Sequence, residues 1–263
     1  MADHIWERIL EEVSRDARQE PALASFLHTV VLSHHDLESS LAHILASKLT
    51  STTLTEIALF DMIKSALDDD PGIGLAVRED LSAVLSRDPA TRGYAMPLLY
   101  FKGFHALQAH RIAHYYWVHD RQPLALYLQS RTSEVFAVDI HPGARIGKGI
   151  MFDHATSIVI GETAVIEDDF SMLHEVTLGG TGKVGGDRHP KIGRGVMIGA
   201  GAKVLGNIRV GEGAKIGAGS VVLSDVEPFT TVAGVPAKPV AYPANAHPAL
   251  DIDDEFFVTE KQS

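Results

Sequence analysis

The amino-acid sequence predicts a two-part α+β protein, with an all-helical N-terminal domain over residues 1–137 and a left-handed parallel β-helix of hexapeptide repeats over residues 138–240. Three observations predict this fold class: helical spacing of apolar residues in the first half, a period of six in the second, and a change in glycine usage between them. Four of the 23 glycines precede residue 140, and the other 19 lie between residues 143 and 234. We therefore place the boundary near residue 138.

The helical domain is predicted from apolar side chains that recur every three or four residues. These stripes lie within residues 5–13, 23–31, 37–49 and 97–117. Pro21 and the clusters at 68–72 and 87–89 interrupt the pattern. Because a residue before proline is pushed out of the α region, Asp88 is expected on a loop between helices.

The C-terminal part is predicted from a bulky apolar residue at every sixth position. The positions are Ile140, Ile146, Phe152, Ile158, Ile160, Ile166, Met172, Leu178, Ile192, Ile198, Val204, Val210, Ile216 and Val222. A period of six fits neither an α-helix nor a lone strand, and it indicates a prism of short strands with three hexads per coil. Fourteen hexads predict between four and five coils, and a glycine-rich β-sandwich is the alternative.

Two interruptions break this repeat. The frame slips by two residues between Ile158 and Ile160, and residues 179–191 form a glycine-rich loop that ends in Arg188-His189-Pro190. A long loop on a rigid repeat is more often functional than not. Beyond the prism, residues 241–263 are predicted to form a mobile acidic tail.

Composition and charge restrict the class of protein. The chain lacks cysteine, which excludes disulfides and thiolate chemistry, and its net charge of −11 disfavours nucleic acid as a partner. Because no apolar run approaches the ~20 residues of a membrane span and the N-terminus does not resemble a secretory signal, a cytoplasmic location is expected. Residues 179–240 hold eight Lys or Arg against four Asp or Glu, so they either receive a small anion or form an ordinary solvated surface.

The histidines of the repeat region are the candidate chemical groups, because imidazoles in a narrow prism are expected to face outward. Asp139 lies fifteen residues before His154, close to one coil, and so its carboxylate can approach that imidazole from the neighbouring coil. Such a pair can take a proton from a hydroxyl, although a surface histidine beside a chance carboxylate is the more common situation. A zinc site made by His154, His174 and His189 across a trimer interface is the alternative. No two histidines have metal-ligand spacing and Arg188 lies beside His189, so no metal is expected.

Several stretches together resemble serine O-acetyltransferase from about residue 5 to residue 240. They are SRDPA and PLLYFKGFHALQAHRIAHYYW in the helical half, and those containing DIHP, FDHAT and GGDRHPK in the repeat. The resemblance implies that His154 is the general base, that Asp139 orients it, and that His189 positions serine or stabilises the oxyanion. It also implies that serine attacks acetyl-coenzyme A directly, which yields O-acetyl-L-serine and coenzyme A in cysteine biosynthesis.

The resemblance assigns the substrate contacts as well. Arg188 holds the serine carboxylate, for which a guanidinium fork is suited, and Asp88 and Asp153 hold the ammonium group. These three residues together favour a small zwitterion over the sugar that another hexapeptide acyltransferase would take. The contacts expected for coenzyme A are Gly180, Ala200 and Ala218, through backbone amides on the pantetheine arm, and Lys215 and Lys238, on the phosphates.

The resemblance implies an assembly and partners. Similar proteins form trimers through the β-helices and pair two trimers through the helical domains, so a trimer or hexamer with sites between subunits is expected. Cysteine is expected as an inhibitor at the serine site. Relatives bind O-acetylserine sulfhydrylase through a terminal isoleucine, but this chain ends in Ser263, which argues against that partner. A zinc hydratase and a non-catalytic assembly module remain the alternative functions.

Overall fold

The computed structural model, which describes residues 3–182, 185–242 and 248–250, consists of a helical part followed by a prism of parallel strands. The α-helices are α1 (His4–Gln19), α2 (Ala24–Leu27), α3 (Leu37–Leu49), α4 (Glu56–Asp69), α5 (Pro71–Arg87), α6 (Ala95–Tyr100), α7 (Lys102–Val118) and α8 (Gln122–Phe136). Short 3₁₀ and π segments, Pro21–Leu23 and His28–Leu32, flank α2. Among the described residues, no helix has both the length and the apolar character required to cross a bilayer.

Side-chain caps explain several of the helix starts. The carboxylate of Asp36 accepts a hydrogen bond from the backbone N–H of Ser39 at 2.7 Å, and Thr55 caps α4 in the same way. Asp70 caps α5, whose first residue is Pro71. As expected, Asp88 ends α5 in an extended conformation and lies on the loop before α6.

Two details of the helical part differ from the prediction. The apolar stretch 97–117 is not one helix, because Phe101 is extended and separates α6 from α7. This break lets the start of α7 pack on the β-helix: a Cβ added at Gly103 would lie 2.2 Å from the carbonyl oxygen of Phe152. In the stripe 23–31, Leu23 and Phe26 are each 42% exposed, so only its second half enters the core.

The strands form three parallel sheets that wind into about five coils. They are β1 (Val138–Ile140), β2 (Arg145–Ile146), β3 (Met151–Phe152), β4 (Ile158–Ile160), β5 (Val165–Ile166), β6 (Ser171–Met172), β7 (Thr177–Gly179), β8 (Lys191–Ile192), β9 (Met197–Ile198), β10 (Lys203–Leu205), β11 (Arg209–Val210), β12 (Lys215–Ile216), β13 (Val221–Val222), β14 (Thr231–Gly234) and β15 (Ala237–Ala241). Their orders are β1-β4-β7-β10-β13, β2-β5-β8-β11 and β3-β6-β9-β12-β14-β15, with the last pair antiparallel. The predicted parallel β-helix is confirmed.

The inward positions are those that the period of six predicted, with one correction. Ile158 and Ile160 are both buried in the single strand β4 and flank the exposed Val159, so they are not two separate hexads. The first coil is therefore twenty residues long, since Val138 pairs with Ile158, whereas the coil between Ile160 and Leu178 has eighteen.

Buried polar contacts join the helices to the first coils. Asp80, which is fully buried, accepts hydrogen bonds from Arg111 Nη2 at 2.7 Å, Gln108 Nε2 at 2.9 Å and the backbone N–H of Ile150 at 2.9 Å. Arg111 also donates to the carbonyl of Gly147 at 2.7 Å. Burial raises the pKa of Asp80, and Arg111 opposes that shift by stabilising the carboxylate.

Part of the predicted tail is docked on the prism. The turn Pro248–Leu250 buries Ala249, whose carbonyl accepts a hydrogen bond from Ser171 Oγ at 2.9 Å. The prediction of a mobile tail is therefore wrong for this turn. Residues 243–247 and 251–263, to which the prediction also refers, lie outside the described residues.

Candidate active site

Equivalent residues of successive coils form a column at the corner where each coil turns into the β1-β4-β7 sheet. Phe152 pairs with Met172, Met172 with Ile198 and Ile198 with Ile216, so the residues two positions later lie one above another. They are His154, His174, Ala200 and Ala218. The rings of His154 and His174 accordingly lie 6.0 Å apart between centroids.

The turn that carries His154 is strained and open to solvent. His154, Ala155 and Ser157 all have left-handed backbone conformations, with φ values of 56°, 58° and 62°. Such conformations cost free energy in residues other than glycine and are concentrated at functional sites. The His154 side chain is 76% exposed, and its Nε2 lies 3.8 Å from Asp153 Oδ2. The imidazole is therefore accessible to a substrate hydroxyl.

Two carboxylates face each other beside His154. Burial raises the pKa of Asp153, the charge of Asp88 raises it further, and His154 opposes the shift. Asp88 is fixed by its own loop, since Oδ1 accepts from the backbone N–H of Ala90 at 2.8 Å and Oδ2 from Thr91 Oγ1 at 2.6 Å. A cation placed between the two carboxylates would relieve their repulsion. We call Asp88, Asp153, His154 and His174 the base group.

His189 lies on the other side of the sheet, under the long loop. Its Nδ1 accepts a hydrogen bond from the backbone N–H of Thr163 at 3.1 Å and lies 2.9 Å from Thr163 Oγ1. Burial lowers the pKa of His189, and the neighbouring charge of Arg188 lowers it further. The ring lies outside the prism, as expected, but the residue is only 7% exposed because it packs against Gly161 and Thr163.

Arg188 projects from the same loop and is already paired. Its Nη2 donates to Glu162 Oε2 at 2.7 Å, and its Nη1 donates to the carbonyl of Gly186 at 3.0 Å. The guanidinium holds the pKa of Glu162 below its usual value. We call Gly161, Glu162, Thr163, Arg188 and His189 the loop group.

Asp139 does not meet His154 through the neighbouring coil of the same chain, as the sequence predicted. Because the first coil has twenty residues, Asp139 pairs with Val159, and the prediction of a contact within one chain is wrong. Its Oδ1 accepts a hydrogen bond from Gln129 Nε2 at 2.7 Å. Its charge acts on His141, which the charges of Glu162 and Arg188 also reach. Asp139 therefore lies on the side of the loop group.

The base group and the loop group are separated within one chain. His154 belongs to the turn before β4, whereas Gly161, Glu162 and Thr163 follow its end. A three-residue strand alone spans about 10 Å, so the two groups lie at opposite ends of the strands of one sheet. Neither group by itself combines an exposed base with a carboxylate-binding cation.

The residues expected to contact coenzyme A differ in their exposure to solvent. Ala200 and Ala218 lie in the column of His154, and within the described residues their backbone N–H groups have no acceptor. Gly180 is exposed at the start of the long loop, and Lys238 is exposed on β15. Lys215 is different: it is only 6% exposed, on the outer face of the sheet that contains Ser171. Burial does not favour a contact with the phosphates, and the assignment of Lys215 to them stays a prediction.

Sequence reasoning missed Gly161, Glu162 and Thr163, which organise the loop group. The glycine after the hexad residue Ile160 provides space for an imidazole. The ring of His189 packs on it so closely that a Cβ at Gly161 would lie 2.1 Å from Nε2. Nothing in the spacing of the repeat signals such a contact with a residue 28 positions later.

We expect alanine at Gly161 to lower kcat at least about tenfold, because even a small displacement of a substrate-positioning group is costly. The added methyl group must push the His189 ring away from its place. Thiol release from acetyl-coenzyme A in the presence of serine measures the effect. Gly185 lies in the long loop that carries His189, and alanine there meets nothing within 4 Å, so Gly185→Ala is the control. A kcat for Gly161→Ala equal to that of Gly185→Ala would contradict the assigned position of His189.

Comparison with known proteins identifies relatives over most of the chain. Residues 5–109 match the family described as Serine acetyltransferase, N-terminal, and residues 189–224 match Bacterial transferase hexapeptide (six repeats). The chain is 56% identical to the serine acetyltransferase of Escherichia coli strain K12 over 252 residues, which cover 96% of this chain and 92% of that protein.

Two solved structures of similar proteins contain small molecules. A serine acetyltransferase in complex with cysteine has a TM-score of 0.94 and 53% identity, and the match covers 96% of this chain and 98% of that one. A serine acetyltransferase in complex with coenzyme A, from Brucella abortus strain S19, has a TM-score of 0.90 and 48% identity, with 92% and 96% coverage. Both likenesses extend over the helical part and the β-helix.

Proposed function

The chain belongs to the serine acetyltransferase family, so its reaction is the transfer of an acetyl group to serine, and we propose that the base group of one protomer and the loop group of its neighbour form the active site. The observation that carries this proposal is that the two groups lie at opposite ends of the strands of one sheet. The zinc hydratase, the sugar acyltransferase and the assembly module, considered from the sequence, are set aside because of the family.

His154 is the general base in this proposal. Its exposed imidazole takes the proton of the serine hydroxyl as the oxygen attacks the carbonyl carbon of acetyl-coenzyme A. The C–S bond of the resulting tetrahedral intermediate then breaks, and coenzyme A leaves as the thiol after it takes up a proton. Asp139 of the neighbouring protomer orients the imidazole, since a carboxylate on one ring nitrogen raises the basicity of the other.

His189 of the neighbouring protomer serves as a hydrogen-bond donor to the developing oxyanion. Its Nδ1 is occupied by the N–H of Thr163, and its lowered pKa keeps the ring neutral. A neutral imidazole that accepts at Nδ1 carries its proton on Nε2, which can donate. Donors aimed at developing charge are a large contribution to catalysis in acyl transfer.

Serine is recognised by charge at both ends. Asp88 and Asp153 hold the ammonium group, whose positive charge offsets the burial and the Asp88 charge that raise the pKa of Asp153. Arg188 binds the carboxylate with the N–H groups that Glu162 and Gly186 leave available. Cysteine has the same ammonium and carboxylate groups, and the complex of a relative with cysteine supports its role as an inhibitor at this site.

Acetyl-coenzyme A occupies the cleft between neighbouring prisms. The unpaired N–H groups of Ala200 and Ala218 bind the pantetheine arm above His154, Gly180 of the adjacent loop faces it, and Lys238 meets the phosphates. The relative with bound coenzyme A supports this cosubstrate. A trimer places the cleft between protomers, and pairing through the helical domains makes a hexamer. A cytoplasmic location, and the doubt about a sulfhydrylase partner, remain predictions.

Complementation between inactive chains tests the shared site. One chain carries His154→Asn and the other His189→Ala, and each alone is expected to retain only a small residual activity, which sets the baseline. In randomly mixed oligomers, about a quarter of the interfaces pair an intact His154 with an intact His189, so about a quarter of the wild-type activity is expected. Co-expression with two affinity tags, followed by sequential purification and thiol-release assays, measures it.

Controls make the outcome decisive. The two variants mixed after separate assembly, without exchange of subunits, give the baseline. A co-expressed chain that carries both substitutions, combined with either single variant, must stay at the residual activity because none of its interfaces is complete. If the His154→Asn and His189→Ala mixture also stays at the baseline, the active site lies within one chain and the proposal is wrong.

A further inference from the structure

We propose that Thr163 is a positioning residue that sets both the tautomer and the place of His189, a proposal that rests on the role of His189 as an oxyanion donor. Thr163 lies three residues after the end of β4, opposite the last residues of the long loop. Its backbone and side chain together contact the two loop residues that face the substrate, Arg188 and His189.

The hydroxyl of Thr163 has three hydrogen-bonding neighbours around His189. The hydroxyl oxygen of Thr163 accepts from the backbone N–H groups of Arg188 at 3.0 Å and His189 at 3.1 Å, which occupies its two lone pairs. Its one proton then faces two acceptors, His189 Nδ1 at 2.9 Å and the carboxylate of Asp187. Asp187 accepts from Lys191 Nζ at 2.6 Å as well, and hydrogen bonds from Lys191 and Thr163 both lower its pKa.

The backbone N–H of Thr163 removes the remaining choice. It donates to the same Nδ1 at 3.1 Å, and a backbone N–H can only donate. Nδ1 is therefore unprotonated, and Nε2 carries the proton. Protonating the ring would place an N–H against another N–H, with the positive charges of Arg188 and Lys191 nearby and Glu162 as the opposing charge.

The two histidines of the site are thus prepared for different tasks. His154 is exposed and has an ionic neighbour in Asp153, as a base requires. His189 is buried, and donors occupy its only acceptor nitrogen, so it cannot take a proton without breaking these contacts. Thr163 is the residue that makes this distinction, because its backbone N–H donates to Nδ1 and its hydroxyl holds the backbone of His189 in place.

A double-mutant cycle tests the proposal. Valine at Thr163 keeps the shape of the side chain but removes the hydroxyl, and serine restores it. We expect Thr163→Val to lower kcat about tenfold and Thr163→Ser to remain within about threefold of the wild type. In a His189→Ala background, Thr163→Val is expected to change kcat less than twofold, since a residue that acts through His189 has no effect once the imidazole is gone.

The Michaelis constant supplies a second readout. Thr163 also anchors the backbone of Arg188, so Thr163→Val is expected to raise KM for serine in both backgrounds. Thr230→Val is the matched control, because the hydroxyl of Thr230, directly before β14, donates to the carbonyl of Pro228 and not to a residue of the loop group, and kcat is expected to stay unchanged. Circular dichroism and gel filtration check that each variant is folded and assembled.

Each failure has its own meaning. If His189→Ala alone leaves kcat unchanged, the donor role of His189 is wrong and the inference falls with it. If His189→Ala lowers kcat but the two substitutions multiply in the double variant, Thr163 supports the loop without acting through the imidazole. A Thr163→Ser variant as slow as Thr163→Val also overturns the proposal.

Discussion

Asparagine at His154 is expected to lower kcat by roughly 10²–10⁴-fold, the usual contribution of a general base. Asparagine preserves much of the shape of the ring and some hydrogen bonding but cannot accept a proton at neutral pH. The side chain is exposed, so its loss leaves no buried cavity and the protein is expected to fold. Thiol release from acetyl-coenzyme A with saturating serine measures kcat directly.

The control for this substitution is His35→Asn, because His35 is also exposed but lies in the helical part. It is expected to retain wild-type kcat. Binding of serine to the His154→Asn variant, measured by calorimetry, is expected to be nearly unchanged, since Asp88, Asp153 and Arg188 remain. A variant that turns over serine at the wild-type rate would remove His154 from the mechanism.

Methionine at Arg111 is expected to destabilise the protein by about 3–5 kcal/mol, the cost of leaving a buried charge without its partner. Asp80 has no exposed surface, and Arg111 Nη2 lies 2.7 Å from its carboxylate. At about 2–4 °C per kcal/mol for a chain of this size, the melting temperature should fall by roughly 10 °C. Differential scanning calorimetry at fixed protein concentration measures the change, because unfolding of an oligomer depends on concentration.

The pH dependence identifies the cause. Without Arg111, the pKa of buried Asp80 rises further above its unfolded value, so the native state holds a proton that the unfolded state has lost. Stability then falls as the pH rises, and the loss should be smaller at pH 5 than at pH 8. The double variant Asp80→Leu/Arg111→Met removes both charges and should recover part of the loss. A pH-independent decrease of the same size in both variants would point to lost packing instead.

The β-helix could be predicted from the sequence because one geometric demand repeats along it. Each inward position must be apolar to fill a narrow prism, so the hexad residues reveal the fold without any knowledge of tertiary contacts. The pairing of Asp139 was not predictable in the same way. It depends on the length of one coil, and two isoleucines in one strand are indistinguishable in sequence from two hexads.

The candidate site was predictable as a set of residues but not as an arrangement. Motif likeness identified His154, His189 and Arg188. The separation of the base group from the loop group depends on whether each turn precedes or follows its strand. The burial of Lys215 was not predictable, because a period of six does not indicate how exposed an outward side chain is. Thr163 was missed because a threonine after a strand is ordinary. Its hydroxyl acquires its hydrogen-bond partners, the backbone N–H groups of Arg188 and His189, only when the long loop folds against it.

The close packing of Gly103 on Phe152 is part of a contact by which the helices cover the first coil of the β-helix. Solenoids need a terminal unit that covers the exposed end of the stack. Here Asp80 accepts the N–H of Ile150, and Arg87 donates to the carbonyl of Gly149 at 2.9 Å, so helices close the first coil in place of a dedicated repeat. The proposed base, His154, lies on that same coil, and its strained turn is therefore anchored by the domain that precedes it in the chain.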